Sequence, residues 1–317
     1  MNISDIALKI WAAQIVGTIP SRAQFHKLYN SESNFLSAIK DDIQVIDMVN
    51  QLTKEIETNT ALDGVICIFD QDFPLINPTV KAKGDRPYLL FYKGDISLLH
   101  HLNNNVAVIG HTSPSENIQK RERKIVSQLV KEEQVIVSGL AKGCDVIAHE
   151  ECMRLAGKTI AILPSPINEV LPKEHTKQAK QIVETDGLLI SEYYTSPSNP
   201  RFEMTKRYIE RDRLQAMFAK VVILIASYAV KKGDSGARHA MNKALKYKHQ
   251  ACVMYDEKQD SHVDEMELNK QFVEAGSVKV LAKAARKNPA FITIDEIAKY
   301  RISTLERVTS TKQDNLF

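Results

Sequence analysis

NVAVIGHTSPSENIQKRERKIVSQLVKEEQVIVSGLAKGCDVIAHEECMRLAGKTIAILP, residues 105–164, decides the fold class of this chain. Three short apolar runs, 106–110, 134–139 and 158–164, are separated by two stretches of helical length. In the first stretch Ile118, Ile125, Val126, Leu129 and Val130 recur at helical spacing. The runs are apolar throughout rather than alternating, which is the pattern of strands buried on both faces of a parallel sheet. The rhythm continues in GLLISE (187–192), KVVILIA (220–226) and HQACVMY (249–255). Strand–helix alternation of this kind implies right-handed crossovers and predicts an α/β domain with a doubly wound parallel sheet. A closed barrel would need eight units, against about six here.

Outside this block the signal changes. Residues 1–60 lack strand signals, and Ile6, Ile10 and Trp11, then Ile43, Ile46, Val49 and Leu52, recur at roughly helical spacing. A small N-terminal helical domain is expected there. GVICIFDQDFP (64–74) and PYLLFYKGD (87–95) read as a connector that adds strands to the sheet. After residue 285, ITIDEIAKYRI reads as one more helix and STLERVTSTKQDNLF as a polar, mobile tail. The expected division is a helical domain over 1–60, the α/β domain over 61–285, and a C-terminal helix with tail over 286–317.

The 317 residues are 44% hydrophobic and 26% charged, an ordinary globular composition with room for a sizeable core. Lys and Arg total 42 against 39 Asp and Glu, a net charge of +3. That excludes a polycationic nucleic-acid condenser but leaves a local basic groove open. Cys67, Cys144, Cys152 and Cys252 form no CxxC pair, so neither a disulfide framework nor a zinc site is expected. MNISDIALKIW has no basic start followed by an apolar core, and no run approaches the ~20 apolar residues of a membrane span. A cytoplasmic protein is expected.

In such sheets ligands bind beyond the carboxyl ends of the strands, so the loops there carry the functional reading. After 106–110, Ser113 reads as an N-cap, with Pro114 at the first helical position and Glu116 completing a capping box. A helix start of this kind favours an anion, although a well-capped helix is the plainer reading. After 134–139, Ser138-Gly139-Leu140-Ala141-Lys142-Gly143 offers two glycines for close backbone approach and a lysine beside a helix start. It reads as a phosphate cradle or simply as a tight turn, and it is neither GxGxxG nor a Walker A loop. Lys206, Arg207, Arg211 and Arg213 cluster on one predicted helix, with Tyr193, Tyr194 and Phe202 just upstream. Aromatics among cations suit a single-strand groove, whereas charged helix faces are more often merely solvated. After 220–226, Ser235 and Gly236 open another helix, with Lys231, Lys232 and Arg238 nearby. No GxSxG or HExxH signature is present. His149 reads as a structural histidine, and Cys144, at a helix N-terminus, has no identifiable base.

Taken in order, GVICIFDQDFPLINPTVKAKGDRPYLLFYKGD, VAVIG, VSGLAKGCDVIAHEECMRLAGKTIAIL, GLLISEY, RYIERDR and DSGARHAMNKAL resemble the DprA (Smf) DNA-processing proteins over about residues 62–278. SGLAKGCDVIAH is the most specific part. The resemblance implies an extended Rossmann-like domain that binds single-stranded DNA, loads a RecA-type recombinase, commonly forms a homodimer, and needs no cofactor, metal or catalysis. The sequence departs from the family pattern in several places. The usual Gly-Ser-Arg is Gly110-His111-Thr112, which removes an expected basic contact. Arg-Asn-Arg is Arg211-Asp212-Arg213, Phe-Pro is Phe202-Glu203, and the acidic residue after the Val-rich strand is Ala226. The family's frequent C-terminal winged helix has no room after residue 285. The expected DNA- and phosphate-binding residues are therefore Ser113, Ser138, Gly139, Lys142, Gly143, Lys206, Arg207, Arg211, Arg213, Ser235, Gly236 and Arg238.

Two other functions compete with that of a recombination mediator. One is a relative from a mobile-element or anti-phage defence locus that restrains a toxin partner or senses foreign DNA, which the departures motivate. The other is a nucleotide-processing Rossmann enzyme, against which stands the lack of a catalytic Glu after a Gly-Gly-x-Gly-Thr pattern. The closing residues Gln313, Leu316 and Phe317 resemble the Gln-x-x-Leu-Phe peptides that bind a sliding clamp.

Overall fold

In the computed structural model, which describes residues 1–233, 236–282 and 288–302, helix starts are set by side-chain caps in the N-terminal region. Helices α1 (Asp5–Ile15), α2 (Arg22–Leu28), α3 (Glu32–Ile39) and α4 (Ile43–Thr58) are preceded by Ser4, Ser21, Ser31 and Asp42. Each of these accepts a hydrogen bond from a backbone N–H of the first turn. A two-residue strand, β1 (Asn2–Ile3), precedes them and pairs in parallel with β2 (Gly64–Cys67). A strand within 1–60 was not expected, because two residues are too few to show a period. Strand β3 (Leu89–Gly94) pairs antiparallel with β2. Trp11, fully buried on α1, packs edge-on against Phe91 at 5.3 Å and against Tyr194 at 4.4 Å. Tyr194, half-buried, thereby packs against this core.

The α/β block follows as β4 (Asn105–Ile109), α5 (Glu116–Lys131), β5 (Val135–Ser138), α6 (Cys144–Arg154), β6 (Thr159–Leu163), α7 (Thr176–Glu184) and β7 (Leu188–Ser191). Then come α8 (Pro200–Met217), β8 (Val221–Leu224), α9 (Ala237–Lys246) and β9 (Gln250–Val253). The chain continues through α10 (Glu257–Asp260), α11 (Glu267–Glu274), β10 (Lys279–Leu281), β11 (Phe291–Ile292) and α12 (Ile294–Lys299). All six strands read from the sequence of this block are present, and β4 to β8 are buried along their length.

Among the described residues eleven strands form one sheet in the order β1-β2-β3-β7-β6-β5-β4-β8-β9-β10-β11. Every pairing is parallel except those of β3. Helices α5, α6 and α7 pack side by side, and α8 packs on α9. Right-handed crossovers place these two rows on opposite faces. The core divides into a cluster around β4, β5 and β8 and a second one that joins the N-terminal helices to β2, β3, β6 and β7. From β4 the chain winds to β5, β6 and β7, then returns through α8 to β8 on the other side of β4. The switch point, and with it the binding crevice of such a sheet, therefore lies above the carboxyl ends of β4 and β8. Among the described residues no helix is long and apolar enough to cross a membrane. The tail residues Gln313, Leu316 and Phe317, and Ser235, lie outside the described residues.

Candidate nucleic-acid interface

Three loops converge at the switch point. The His111 N–H donates to the Ala226 carbonyl (2.9 Å), joining the loops after β4 and β8. The Cys144 N–H donates to the His111 carbonyl (3.1 Å), drawing in the start of α6. Gly143 precedes that helix at φ +73° and ψ −125°, a conformation open to glycine. Lys142 stands beside it, its ammonium 3.0 Å from Glu174 with both side chains about half exposed. An exposed pair of this kind contributes little to stability and exchanges readily for a phosphate.

The floor of the crevice is an ion cluster. Arg211, 4% exposed, places its Nη1 3.4 Å from Asp145 and its Nε 3.2 Å from Asp212, the latter not aligned as a hydrogen bond. A Cβ on Gly139 would fall 0.9 Å from the Arg211 Nη1, so glycine is what lets the guanidinium reach this position. Asp145 also accepts from the Gly139 N–H (3.1 Å) and the Ala141 N–H (3.4 Å). The loop after β5 thus curls around an internal carboxylate, and two amides expected to cradle phosphate are already engaged. The Ser138 hydroxyl is likewise turned inward, donating to the Val108 carbonyl at 2.7 Å.

Burial pushes the Asp212 carboxyl up to about 7 despite Arg211, and burial raises Asp145 in the same direction. An acid whose folded pKa is raised binds protons more tightly when folded, so its ionisation lowers stability as pH rises from about 4 to about 7. Asp212→Asn is therefore expected to match the wild type near pH 4. Above pH 7 it should exceed it by on the order of 1–3 kcal/mol, read by urea denaturation across the window. A constant difference at all pH values would show that the Asp212 carboxyl titrates in the folded protein as it does in the unfolded chain.

Arg213 lies elsewhere. It is 1% exposed and forms a bidentate pair with Glu192 (2.6 and 2.7 Å). It also donates to the backbone carbonyls of Asp85 (2.9 Å) and Glu210 (2.6 Å). Arg22 of α2 reaches the same acids, 2.6 Å from Glu210 and 3.8 Å from Glu192. Arg211 and Arg213, both among the expected phosphate-binding residues, are thus held by different acids, Asp145 and Asp212 for the one and Glu192 and Glu210 for the other. Arg213 locks α8 to the end of β7, to the 83–85 turn and to the N-terminal helices.

The loop after β4 also differs from the expected capping. The N-cap of α5 is Ser115, without a side-chain cap bond, and Ser113 is exposed two residues earlier. The Ser113 N–H donates to the Nδ1 of His111 (3.2 Å), which leaves the ring proton on Nε2 to donate to Glu265 at 3.1 Å. The same Glu265 oxygen accepts from the Ser115 N–H at 3.0 Å. Burial lowers the His111 pKa while Glu265 opposes it, so the ring is neutral. A protein carboxylate thus sits where this loop would meet an anion. Sequence reading missed Glu265 and Glu192, because nothing in a single acidic residue marks it as the partner of a distant loop.

On the projecting half of α8, Lys206 is exposed, and Phe202 is exposed at 72%. Arg207 lies over the Tyr193 ring at 4.2 Å and donates to the Thr195 carbonyl. Gly236 begins α9 at φ +88°, close to Asp212, and Arg238 follows on its first turn.

The sheet order and the glycine-marked loops at its switch point define a Rossmann-like protein of the doubly wound class. The family model described as DNA recombination-mediator protein A matches residues 64–287, and the chain belongs to that family. The DNA processing protein DprA of Streptococcus pneumoniae is 37% identical over 123 residues, covering 39% of this chain and 42% of that protein. Protein Smf of Escherichia coli is 32% identical over 141 residues, covering 42% and 37%. The matched segments thus span about two fifths of these relatives. The structure is similar to that of DprA from Streptococcus pneumoniae (TM-score 0.59, 24% identity, covering 86% of this chain and 89% of that one). It is also similar to DNA processing protein A from Helicobacter pylori, described for its single-stranded DNA binding mode (TM-score 0.52, 26% identity, covering 68% and 90%).

Proposed function

We propose that this protein binds single-stranded DNA at the switch crevice and acts as a mediator that passes the strand to a RecA-type recombinase. The observation that carries this reading is the loop after β5. It presents Lys142, a solvent-accessible cation, beside Gly143 and above the buried Arg211 cluster, in a chain of the recombination-mediator family. The Helicobacter pylori relative, similar over 68% of this chain, supports the same ligand. Binding, not chemistry, is the work assigned to the crevice.

The roles within the proposed site differ from residue to residue. Lys142, Lys206 and the start of α9 at Gly236 and Arg238 meet phosphates directly. Arg211 acts from below through its field, and Ser138 and Arg213 hold the frame. Phosphate contacts release counterions, so affinity for an oligothymidine should fall steeply with salt. Lys142→Ala should weaken binding several-fold and reduce the salt slope by about 0.7, the share of one phosphate on a single strand. Fluorescence anisotropy in a salt series checks both. A wild-type protein with no affinity for single strands at low salt would end this reading, and an unchanged slope in the variant would remove Lys142 from the site.

A further inference from the structure

Helix α9 and the residues just after it carry charge of one sign. Residues 236–255 contain no Asp or Glu but include Arg238, Lys243, Lys246 and Lys248. In a chain whose net charge is only +3 this is a local excess. The helix buries Ala237, Ala240, Met241 and Ala244 against the core. At 3.6 residues per turn, Arg238, Asn242, Lys243 and Lys246 then fall on the opposite arc. Helix α9 begins at the crevice, where Gly236 lies beside Asp212, and ten residues carry it about 15 Å toward the amino edge of the sheet.

At that edge the stripe runs into a groove of about 520 Å³ lined by Thr79, Lys81, Lys246, Tyr247 and Lys248. The far wall is held in place by Asn77, whose N–H donates to the Met217 carbonyl (3.1 Å) and whose side-chain amide donates to the Ala219 carbonyl (3.2 Å). Two acids face Lys243, Asp85 and Glu210. Asp85 accepts from the Tyr247 hydroxyl at 2.9 Å and lies 3.5 Å from Lys243 and 3.8 Å from Lys246. Lys243 and Lys246 thus share one carboxylate that is already hydrogen-bonded to Tyr247. Lys81 and Lys248 are exposed at its mouth.

We propose that this groove is a second phosphate-binding site, occupied by the phosphodiester backbone of a single strand that leaves the crevice along α9. A row of cations neutralises a backbone and reads no base, and the Tyr247 ring in the groove wall is buried, with its hydroxyl given to Asp85, so it offers no open stacking face. Continuity with the crevice favours the same nucleic acid over an unrelated anion. This deepens the reading proposed above and rests on it for the direction from which the strand arrives.

The test uses the full chain, the triple variant Lys81→Glu, Lys246→Glu, Lys248→Glu, and oligothymidines of about 8 and about 30 nucleotides, within and beyond the usual size of a single binding site. The long strand should lose at least tenfold in affinity, with its salt slope shallower by about 2, the share of three phosphates. The short strand should bind as it does to the wild type. The corresponding Gln variant should show a smaller loss with the same length dependence, and matched thermal melts confirm that both variants are folded. Unchanged affinity for the long strand overturns the proposal, as does an equal loss for both lengths. A wild type that binds the long strand only, with that binding abolished by the triple variant, would retain the groove and discard the crevice.

Discussion

Arg213→Ala is expected to cost about 3–5 kcal/mol of folding stability, the range for breaking one side of a buried ion pair. The guanidinium holds Glu192 through two hydrogen bonds of 2.6 and 2.7 Å and satisfies two backbone carbonyls, with almost none of its surface exposed. Its removal leaves Glu192 facing Glu210 with only Arg22 between them, and Arg22 lies 3.8 Å from Glu192. The carbonyls of Asp85 and Glu210 lose a donor as well. Denaturant titration measures the loss. Any folded fraction should keep the wild-type salt slope for DNA, because Arg213 presents no group to solvent. A variant of native stability with a shallower slope would instead return Arg213 to the binding surface. Glu192→Gln, which keeps the shape but halves the pair, should cost less than Arg213→Ala.

The different fates of neighbouring charges explain what the sequence could reveal. The strands β4 to β8 were legible because a sheet covered on both faces requires apolar residues at consecutive positions. The short strands β1, β10 and β11 at the two ends of the sheet have two or three residues each, too few for any period to register. Helix α8 misled for another reason. Its charges cluster on one helix, yet only residues 200–210 are free of full burial, and Arg211 to Met217 are all buried. Their partners lie 66 residues away at Asp145 and 21 residues away at Glu192, separations over which no helical spacing rule reaches. Lys142 was legible because glycines stand on both sides of it in one short loop, at 139 and 143. They mark a loop that must pass close to other backbone, and such loops end strands at the sheet edge where ligands bind.

That close passage makes Gly143 the most sensitive position in the crevice. Gly143→Ala combines a left-handed φ of +73° with collisions against backbone that cannot rotate aside. The new Cβ would lie 2.4 Å from the His111 carbonyl oxygen and 2.5 Å from the Thr112 carbonyl carbon. The expected loss is about 3 kcal/mol or more, the sum of a strained backbone and an overpacked contact. Gly17→Ala separates the two causes. Gly17 has φ +84° but nothing within 4 Å of the added carbon, so its substitution should cost only about 1–2 kcal/mol. Gly139→Ala is a third case, since its Cβ meets the flexible end of Arg211 and not a carbonyl. It should displace the guanidinium and weaken DNA binding more than it destabilises the fold. Urea midpoints for the three variants, with anisotropy on the folded protein, test the ordering. Equal losses at Gly143 and Gly17 would mean that the loop after β4 yields to the added carbon, and the convergence of the three loops would then be looser than these contacts imply.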